Sequence, residues 1–241
     1  MSISLEIVPR NWEALSVSLD VVSEFSAIEA INIPDLSRFP IRSWEAAVQM
    51  QKPALRCIPH IRANDFSLDK TFPYRDLFRS FSMTEILVIA GDPLPGKDSV
   101  QSSTVPFIKK LKMEMPELQI YAAFDPYRSN IKYELDYLHE KEAAGACGFF
   151  TQPFFDIRLL ELYAEYLENK TVYWGIAPVL SESSRKYWES RNRAIFPRSF
   201  TPTLEWNWAF ARQFLDRAES LNLYLMPIKV DLHTYLTGLF S

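Results

Sequence analysis

The segment KYELDYLHEKEAAGACGFFTQPFFDIRLLELYAEYLEN, residues 132–169, carries the pattern that decides the fold. Its first part is rich in helix formers and stops near Gly145, where a helix is expected to end. The apolar run GFFTQ (148–152) predicts a buried strand that ends at Gln152. Asp156 then stands at the N-cap position of another helix. Helix, strand and helix in succession indicate one unit of a βα repeat.

The same alternation extends over the rest of the chain. Strand followed by helix, eight times, implies parallel strands. Eight units in 241 residues predict a closed (β/α)8 TIM barrel, one domain over 1–241, with a doubly wound open sheet as the alternative. The predicted strands are ISLEIV (3–8), AIEAINI (27–33), ALRCIPHI (54–61), EILVIAG (85–91), QIYAAF (119–124), GFFTQ (148–152), VYWGIAPV (172–179) and LYLMPIK (223–229).

Capping residues predict where the other helices begin. Asn11 is a plausible N-cap for NWEALSVSLDVVSEF, and Ser43 opens SWEAAVQMQK. The longest helical stretch is TLEWNWAFARQFLDRAESLN (203–222).

Composition excludes several classes of protein. Hydrophobic residues make up 48% and charged residues 23%, as in an ordinary globular protein, and the net charge of −4 disfavours a nucleic-acid partner. No apolar run is long enough to cross a bilayer, and the N-terminus lacks the features of a signal peptide. We therefore expect a cytoplasmic protein with no membrane partner; homo-oligomerisation stays open.

Cysteine, histidine and glycine positions narrow the chemistry. Cys57 falls in a predicted strand and Cys147 directly precedes one, which predicts buried free thiols in a reducing compartment. The three histidines show no metal-ligand spacing, so no metal site is expected. The six glycines form neither a dinucleotide fingerprint nor a P-loop.

Polar residues occupy most of the predicted strand ends, where barrel enzymes place their chemistry. Glu6 is the most informative, because it lies inside the apolar run ISLEIVP rather than after it. Helices cover the outer face of a barrel, so even an outward-facing Glu6 would need a buried partner. A functional carboxyl is favoured, since perturbed carboxylates concentrate at sites. The strand-end residues are Glu6, Asn32, His60, Asp92, Asp125, Gln152, Pro178 and Lys229.

Several segments, in chain order, resemble the methylenetetrahydrofolate reductase family. The clearest is ELDYLHEKEAAGACGFFTQPFFD (134–156), which is similar to the family's helix ending K-x-x-AGA and strand ending TQ-x-FFD. Weaker matches are SLEIVP (4–9), PHIRAND (59–65), AGDPLPG (90–96) and WGIAPVLSESSRKYW (174–188).

The resemblance implies a barrel that converts 5,10-methylenetetrahydrofolate to 5-methyltetrahydrofolate, with hydride from NADH or NADPH that usually passes through FAD. On matching positions, Glu6 would be the general acid, and Asp92 and Gln152 would bind the pterin. Asp92 would also face the flavin, which His60 would contact. The other positions assigned to the cofactor are Asn32, Gly91, Glu134 and Lys141.

The chain departs from the family at flavin-holding positions. Ala90 stands where the family has an arginine, and the loop FDPYRSN (124–130) is short and lacks a histidine. Arg128 is a candidate replacement for a phosphate contact. Because a diphosphate is normally held by such donors, weak FAD binding is predicted. The alternatives are direct hydride transfer from the nicotinamide, or loss of the hydride chemistry.

The segment SRKYWESRNRAIFPRSF (184–200) mixes basic and aromatic residues. We expect Arg185 to contact the benzoate and glutamate part of a folate, and Lys229 to contact the substrate from the end of the last strand. The alternative for the segment is a solvated helix with snorkelling arginines.

Three functions therefore stay open. The leading one is a reductase acting on one-carbon-loaded tetrahydrofolate. The others are a non-catalytic folate-binding subunit that has lost flavin, and a methyltetrahydrofolate-dependent methyltransferase. Glu6 favours the first over a pure binding protein, which needs no buried proton donor.

Overall fold

The computed structural model describes residues 2–50, 55–91, 103–216 and 221–241. Eight parallel strands form a closed barrel in chain order, with β1 paired to both β2 and β8. The (β/α)8 prediction is therefore confirmed, and the open doubly wound sheet is wrong. The strands are β1 (Ile3–Glu6), β2 (Ile28–Ile33), β3 (Arg56–Arg62), β4 (Glu85–Ile89), β5 (Gln119–Phe124), β6 (Ala146–Pro153), β7 (Val172–Ile176) and β8 (Asn222–Leu225).

Helices follow each strand and return the chain to the same end of the barrel. Asn11 and Asp156 cap their helices as predicted, accepting hydrogen bonds from the Ala14 and Arg158 backbone N–H groups. Ser43 is the first helical residue of its helix rather than the cap. The helices are α1 (Trp12–Ser23), α2 (Ser43–Gln49), α3 (Arg75–Ser80), α4 (Thr104–Glu114), α5 (Ile131–Ala143), α6 (Ile157–Tyr166), α7 (Glu182–Asn192), α8 (Leu204–Asp216) and α9 (Leu232–Phe240).

Alternation along the strands divides the apolar residues into two clusters. Side chains such as Leu5 and Ile31 belong to the cluster between the strands and the surrounding helices. The second cluster fills the barrel, as expected for a packed barrel interior. At its centre Phe150 stacks on Tyr173 with ring centroids 4.3 Å apart, and Tyr224 meets Phe150 edge-on at 5.2 Å. These rings close the barrel below its C-terminal mouth.

A polar network occupies the barrel nearer the N-terminal ends of the strands. The Glu85 carboxylate accepts hydrogen bonds from Arg56 Nη1 and from the Tyr121 hydroxyl, both at 3.1 Å. Arg56 Nη2 also donates to the Tyr173 hydroxyl at 2.8 Å. These polar groups bond to one another and fill the N-terminal end of the barrel. The C-terminal mouth is therefore the end where a ligand can enter.

An irregularity between β6 and β7 shapes the C-terminal mouth. The pairing shifts between Phe150 and Pro153, and Thr151 holds the junction together. The Thr151 hydroxyl accepts from the Gly175 backbone N–H and donates to the Gln152 carbonyl oxygen, both at 2.7 Å. A Cβ at Gly175 would lie 2.6 Å from the Thr151 carbonyl oxygen, so only glycine fits there. The junction fixes the backbone that carries Gln152.

Two further expectations from the sequence can be compared with the fold. Cys57 is partly buried, but Cys147 is exposed, so the prediction of a buried thiol is wrong for Cys147. Cys147 is the second residue of β6 and lies near Glu85 and Tyr121 at the N-terminal end of the barrel. Among the helices that the structure describes, none has the length and apolar character to span a membrane.

Replacing Thr151 tests the β6–β7 junction. Thr151→Val removes the hydroxyl without loss of volume and leaves the buried Gly175 N–H without its acceptor. We expect the free energy of unfolding to fall by about 1–3 kcal/mol, measured by urea denaturation. Thr151→Ser is the matched control: it keeps the hydroxyl and should lose about 1 kcal/mol or less. Unchanged stability of the valine variant would show that this bond does not stabilise the junction.

Candidate active site

A cavity of about 520 Å³ opens at the C-terminal mouth of the barrel. Its volume is in the range of small-molecule sites. The walls combine apolar side chains with a few polar ones, which is the usual composition of a binding pocket. The lining side chains that matter below are Glu6, His60, Arg62, Ile89, Phe150, Gln152, Trp188, Tyr224 and Met226.

Glu6 is the last residue of β1 and points into this cavity. Its neighbours Leu5 and Ile7 occupy the outer cluster, so alternation turns Glu6 inward. The Glu6 carboxylate accepts a short hydrogen bond from the Tyr224 hydroxyl. Burial raises the pKa of Glu6 to about 7, against the lowering effect of that bond. A carboxyl with this pKa carries a proton in a large fraction of molecules near neutral pH.

A chain of hydrogen bonds fixes His60 beside the cavity. The Asn32 amide donates to Ser4 Oγ at 2.5 Å, and its Oδ1 lies 3.0 Å from His60 Nε2. Burial lowers the pKa of His60 to about 3, so the imidazole is neutral at physiological pH. Because a carboxamide oxygen only accepts hydrogen bonds, Nε2 carries the proton and Nδ1 is an acceptor. His60 thus offers a ligand a fixed, neutral group.

Gln152 is exposed at the mouth, so the expectation that it is buried at the strand end is wrong. It lines the cavity together with Phe150 from the same strand. Within the described ranges of the chain, no hydrogen bond engages its amide. The Gln152 side chain therefore presents two donors and an acceptor to a ligand.

An ionic group on the β2–β3 side of the mouth was missed by the sequence analysis. Asp35 is buried and pairs with Arg42 at 2.5 Å, and Arg42 also contacts Asp65 at 3.1 Å. Arg62 Nε lies 3.2 Å from Asp65. Burial raises the pKa of Asp35 although Arg42 acts in the opposite direction. The group joins the β2–α2 and β3–α3 connections and forms one wall of the cavity.

Three residues that the family resemblance assigns to a flavin, Asn32, Glu134 and Lys141, form hydrogen bonds within the protein. Asn32 and Glu134 are fully buried and do not line the cavity. Glu134 accepts two hydrogen bonds from the Arg128 guanidinium, at 2.7 and 2.9 Å. Lys141 reaches the cavity wall, but its Nζ donates to the Ala123 carbonyl oxygen at 2.5 Å. Burial, with help from Arg128, lowers the pKa of Lys141 to about 7.

Two further cofactor positions belong to the β4–α4 connection. Gly91 lines the cavity with a φ of 80°, and a Cβ there would lie 3.0 Å from the Arg62 side chain. Asp92, expected to bind both pterin and flavin, lies outside the described residues.

The two remaining predicted substrate contacts lie apart from the cavity. Arg185 on α7 pairs with Glu189 at 3.1 Å, and its guanidinium lies over the Phe196 ring at 5.6 Å. It does not line the cavity, although Trp188 one turn later does. Lys229 follows β8 with a φ of 55° and is exposed. From the predicted set, the structure thus brings together Glu6, His60, Gly91, Lys141 and Gln152 around the cavity.

Tyr224, which lines the cavity and bonds Glu6, is a candidate site residue that sequence reasoning missed. Its strand was predicted correctly, but an aromatic residue in a strand is ordinarily core. The predicted barrel offered one signal for Tyr224: in a closed barrel the last strand pairs with the first, so residues of β8 must lie beside Glu6 on β1. In the structure Ser4 lies opposite Tyr224 and Leu5 opposite Leu225, so Tyr224 is level with a position two residues before Glu6.

No protein-family model and no curated protein matches the sequence. Among solved structures, the fold is similar to an uncharacterized protein from Clostridium thermocellum that binds two copies of 5-methyl-5,6,7,8-tetrahydrofolic acid. The TM-score is 0.68 and the identity 14%, over 98% of this chain and 92% of that chain. Oxaloacetate acetylhydrolase matches with a TM-score of 0.58 and 9% identity, over 95% and 75% of the two chains.

A third similar structure is 2,3-dimethylmalate lyase, a member of the PEP mutase/isocitrate lyase superfamily. It matches with a TM-score of 0.54 and 11% identity, over 99% of this chain and 88% of that chain. At these identities the similarity establishes the barrel fold alone.

The raised pKa of Glu6 predicts a pH-dependent stability. The folded state keeps a proton that the unfolded state releases between about pH 4.5 and about 7, so stability falls as the pH rises through this window. Glu6→Gln removes the titration and keeps an acceptor for Tyr224. We expect the variant to be more stable than wild type near pH 8, by at most about 3 kcal/mol, and similar near pH 4.5.

Urea denaturation of both proteins at the two pH values measures this difference. Glu45→Gln is a suitable control, since Glu45 is exposed on α2. A stability difference between Glu6→Gln and wild type that does not change with pH would contradict a raised pKa at Glu6.

Proposed function

We propose that this protein binds a reduced folate at the C-terminal mouth of the barrel and interconverts 5,10-methylenetetrahydrofolate and 5-methyltetrahydrofolate. The observation that carries the proposal is Glu6, a carboxyl with a pKa of about 7 that faces the cavity and is bonded to Tyr224. The similar barrel that binds 5-methyl-5,6,7,8-tetrahydrofolic acid supports folate as the ligand. The family resemblance around residues 134–156 supports the same ligand independently.

The polar groups of the cavity suit a pterin ring. The edge of a pterin ring alternates hydrogen-bond donors and acceptors. The Gln152 side chain has an acceptor oxygen and a donor NH2 group, so it can bond to either kind of atom on that edge. His60, which also lines the cavity, offers an acceptor at Nδ1. Apolar side chains, among them Ile89 and Met226, can cover the flat faces of the ring. Binding through neutral groups would leave the Glu6 carboxyl available to act as an acid on the ligand.

Glu6 would act at the ring-opening step. The weakly basic N10 of the methylene compound must gain a proton as its bond to the bridging carbon breaks, and the Glu6 carboxyl can deliver that proton near neutrality. The bridging carbon is left as an iminium on N5. Addition of a hydride there gives the 5-methyl product, and the proposal takes a reduced nicotinamide as the second substrate that supplies it. The Glu6 carboxylate that remains is stabilised by the Tyr224 hydroxyl.

The residues present do not fit a flavin held in the manner of the family. Asn32 and Glu134 are buried, and Lys141 is bonded to the chain's own carbonyl oxygen. Arg128, the candidate replacement for a phosphate contact, is engaged by Glu134. The proposal therefore uses no flavin step.

The engaged flavin positions also favour an alternative, a folate-binding protein without redox activity. A methyltransferase acting on methyltetrahydrofolate would use the same pterin site without a hydride. Glu6 favours the reductase over a pure binding protein, because only a reaction with a protonation step requires an acid with a raised pKa at this place. A methyltransferase must also protonate N5 as the methyl group leaves, so only an assay separates it from the reductase.

Substitution of Glu6 tests the proposed reaction. Glu6→Gln should lower the turnover of methylenetetrahydrofolate with a nicotinamide by about 10²–10⁴-fold, the usual contribution of a general acid. Binding of 5-methyltetrahydrofolate, measured by calorimetry, should change by less than about threefold, because the amide keeps the shape of the side chain. Turnover by wild type with no loss in the variant would remove Glu6 from the mechanism. Binding of the folate without turnover by wild type would favour the non-redox alternative.

A second prediction concerns the flavin. Asn32, Glu134 and Lys141, which would hold the flavin in the family, are buried or hydrogen-bonded within this protein. We therefore expect purified protein to release less than about 0.1 FAD per chain on denaturation. Two lost charge-assisted contacts correspond to about 10²-fold weaker binding or more. Arg128→Gln is the matched variant: it frees Glu134 but restores neither of the two lost contacts, so it should not increase the flavin content. One FAD per chain that survives dialysis would contradict this interpretation of the site.

A further inference from the structure

A second cavity, of about 470 Å³, adjoins the first on the side of β1 and β8. The two cavities share Glu6, Leu36 and Ile228 in their walls, so a ligand that reaches Glu6 from the barrel mouth can continue into the second one. We call this second cavity the β1–β8 cleft. It is lined by the segments that follow β1, β2 and β8 and by α1 and α9.

Three cations line the β1–β8 cleft: Arg10 after β1, Arg38 after β2 and Lys229 after β8. All three side chains belong to exposed residues. In the described part of the chain none of them forms an ion pair, whereas Arg42 and Arg128 at the barrel mouth are paired with carboxylates. Arg38 does lie over the Phe39 ring, at 5.0 Å, which leaves its charge available. Among the described residues that line the cleft, Glu6 is the only acidic one, so the cleft presents a net positive charge.

The inner wall of the cleft is apolar. It consists of side chains such as Val8, Ala14, Leu36, Ile228 and Leu232. A surface that is apolar near Glu6 and cationic at its rim suits an arm that begins with an aromatic spacer and ends in carboxylates. Arg185, the residue first expected to bind such an arm, is instead paired with Glu189 away from the cavity.

We propose that the β1–β8 cleft binds the aminobenzoyl-glutamate arm of the folate and selects arms extended by γ-linked glutamates. The proposal rests on the proposed function, since it requires the pterin at Glu6. The selection follows from charge: three unpaired cations exceed the two carboxylates of a single glutamate, and each added glutamate brings one more carboxylate. A chain of glutamates can therefore engage Arg10, Arg38 and Lys229 together, which a monoglutamate cannot.

The test compares three ligands by calorimetry at low ionic strength: 6-methyltetrahydropterin, 5-methyltetrahydrofolate monoglutamate and its triglutamate. Each exposed ion pair contributes up to about fivefold in affinity. Because the triglutamate adds one ion pair to the two that a monoglutamate can form, we expect wild type to bind the triglutamate about twofold to fivefold more tightly than the monoglutamate. The triple variant Arg10→Gln/Arg38→Gln/Lys229→Gln should lose this preference. Its affinity for the pterin should stay within about twofold of wild type.

Two controls separate the cleft from general charge effects. Lys109→Gln removes an exposed cation on α4, and Arg185→Gln removes the cation on α7. Both should keep the preference for the triglutamate. Added salt near 0.5 M should weaken triglutamate binding in wild type far more than in the triple variant.

The outcomes distinguish the two proposals. If wild type binds no pterin and neither folate, the proposed function fails, and the cleft assignment fails with it. If the folates bind but the triple variant keeps the triglutamate preference, the cleft assignment is wrong and the proposed function stands. Loss of the preference in Arg185→Gln alone would place the arm on α7 and overturn the cleft. Weaker binding of NADH, with unchanged folate binding, in the triple variant would make the cleft a dinucleotide site and also overturn it.

Discussion

The pairing of β1 with β8 is the interaction on which both the fold and the site depend. It closes the barrel, and it sets Leu5 opposite Leu225 and Ser4 opposite Tyr224. The same register brings the Tyr224 hydroxyl to the Glu6 carboxylate from the far end of the sequence. Without closure β1 would be an edge strand, and Glu6 would face solvent with an ordinary pKa. The covalently distant residues of the site are thus assembled by the step that completes the sheet.

Closure has an energetic consequence for the groups inside the mouth. Glu6 and His60 are both shifted toward their neutral forms, because a charge in this environment loses its hydration. His60 is compensated by Asn32, which is itself bonded to Ser4, so this chain of polar groups is satisfied without a ligand. Glu6 has only Tyr224 among the side-chain hydrogen-bond partners in the described structure. Gln152 has none there. The least satisfied polar groups of the mouth are therefore the ones that a ligand would meet.

The sequence predicted the barrel well, because eight apolar runs separated by helical stretches leave few other arrangements. The sequence also indicated Glu6 as a site residue, because a carboxylate inside an apolar strand is costly to bury and is rarely found there without a functional role. It failed where contacts between distant segments decide the outcome. Tyr224 looked like core until the register of β8 against β1 was known, and Arg185 looked available until Glu189 was found one turn along α7. Gln152 was expected to be buried because periodicity does not reveal the shift between β6 and β7.

Glu134 and Lys141 match residue types that the resembling family uses to bind flavin, but in this structure they have a different role. Glu134 and Lys141 are present at the expected places in α5, yet Arg128 and the Ala123 carbonyl oxygen satisfy them inside the protein. A short β5–α5 connection makes this arrangement accessible, since it lets Arg128 fold back onto the start of α5. Once paired, Glu134 would have to break two charge-assisted hydrogen bonds to meet a cofactor, and each bond is worth about 1.5–3 kcal/mol. Glu134 and Lys141, which would bind a cofactor in that family, instead hold α5 against the rest of the barrel. This arrangement leaves Glu6 on β1 and the cavity at the C-terminal mouth unchanged.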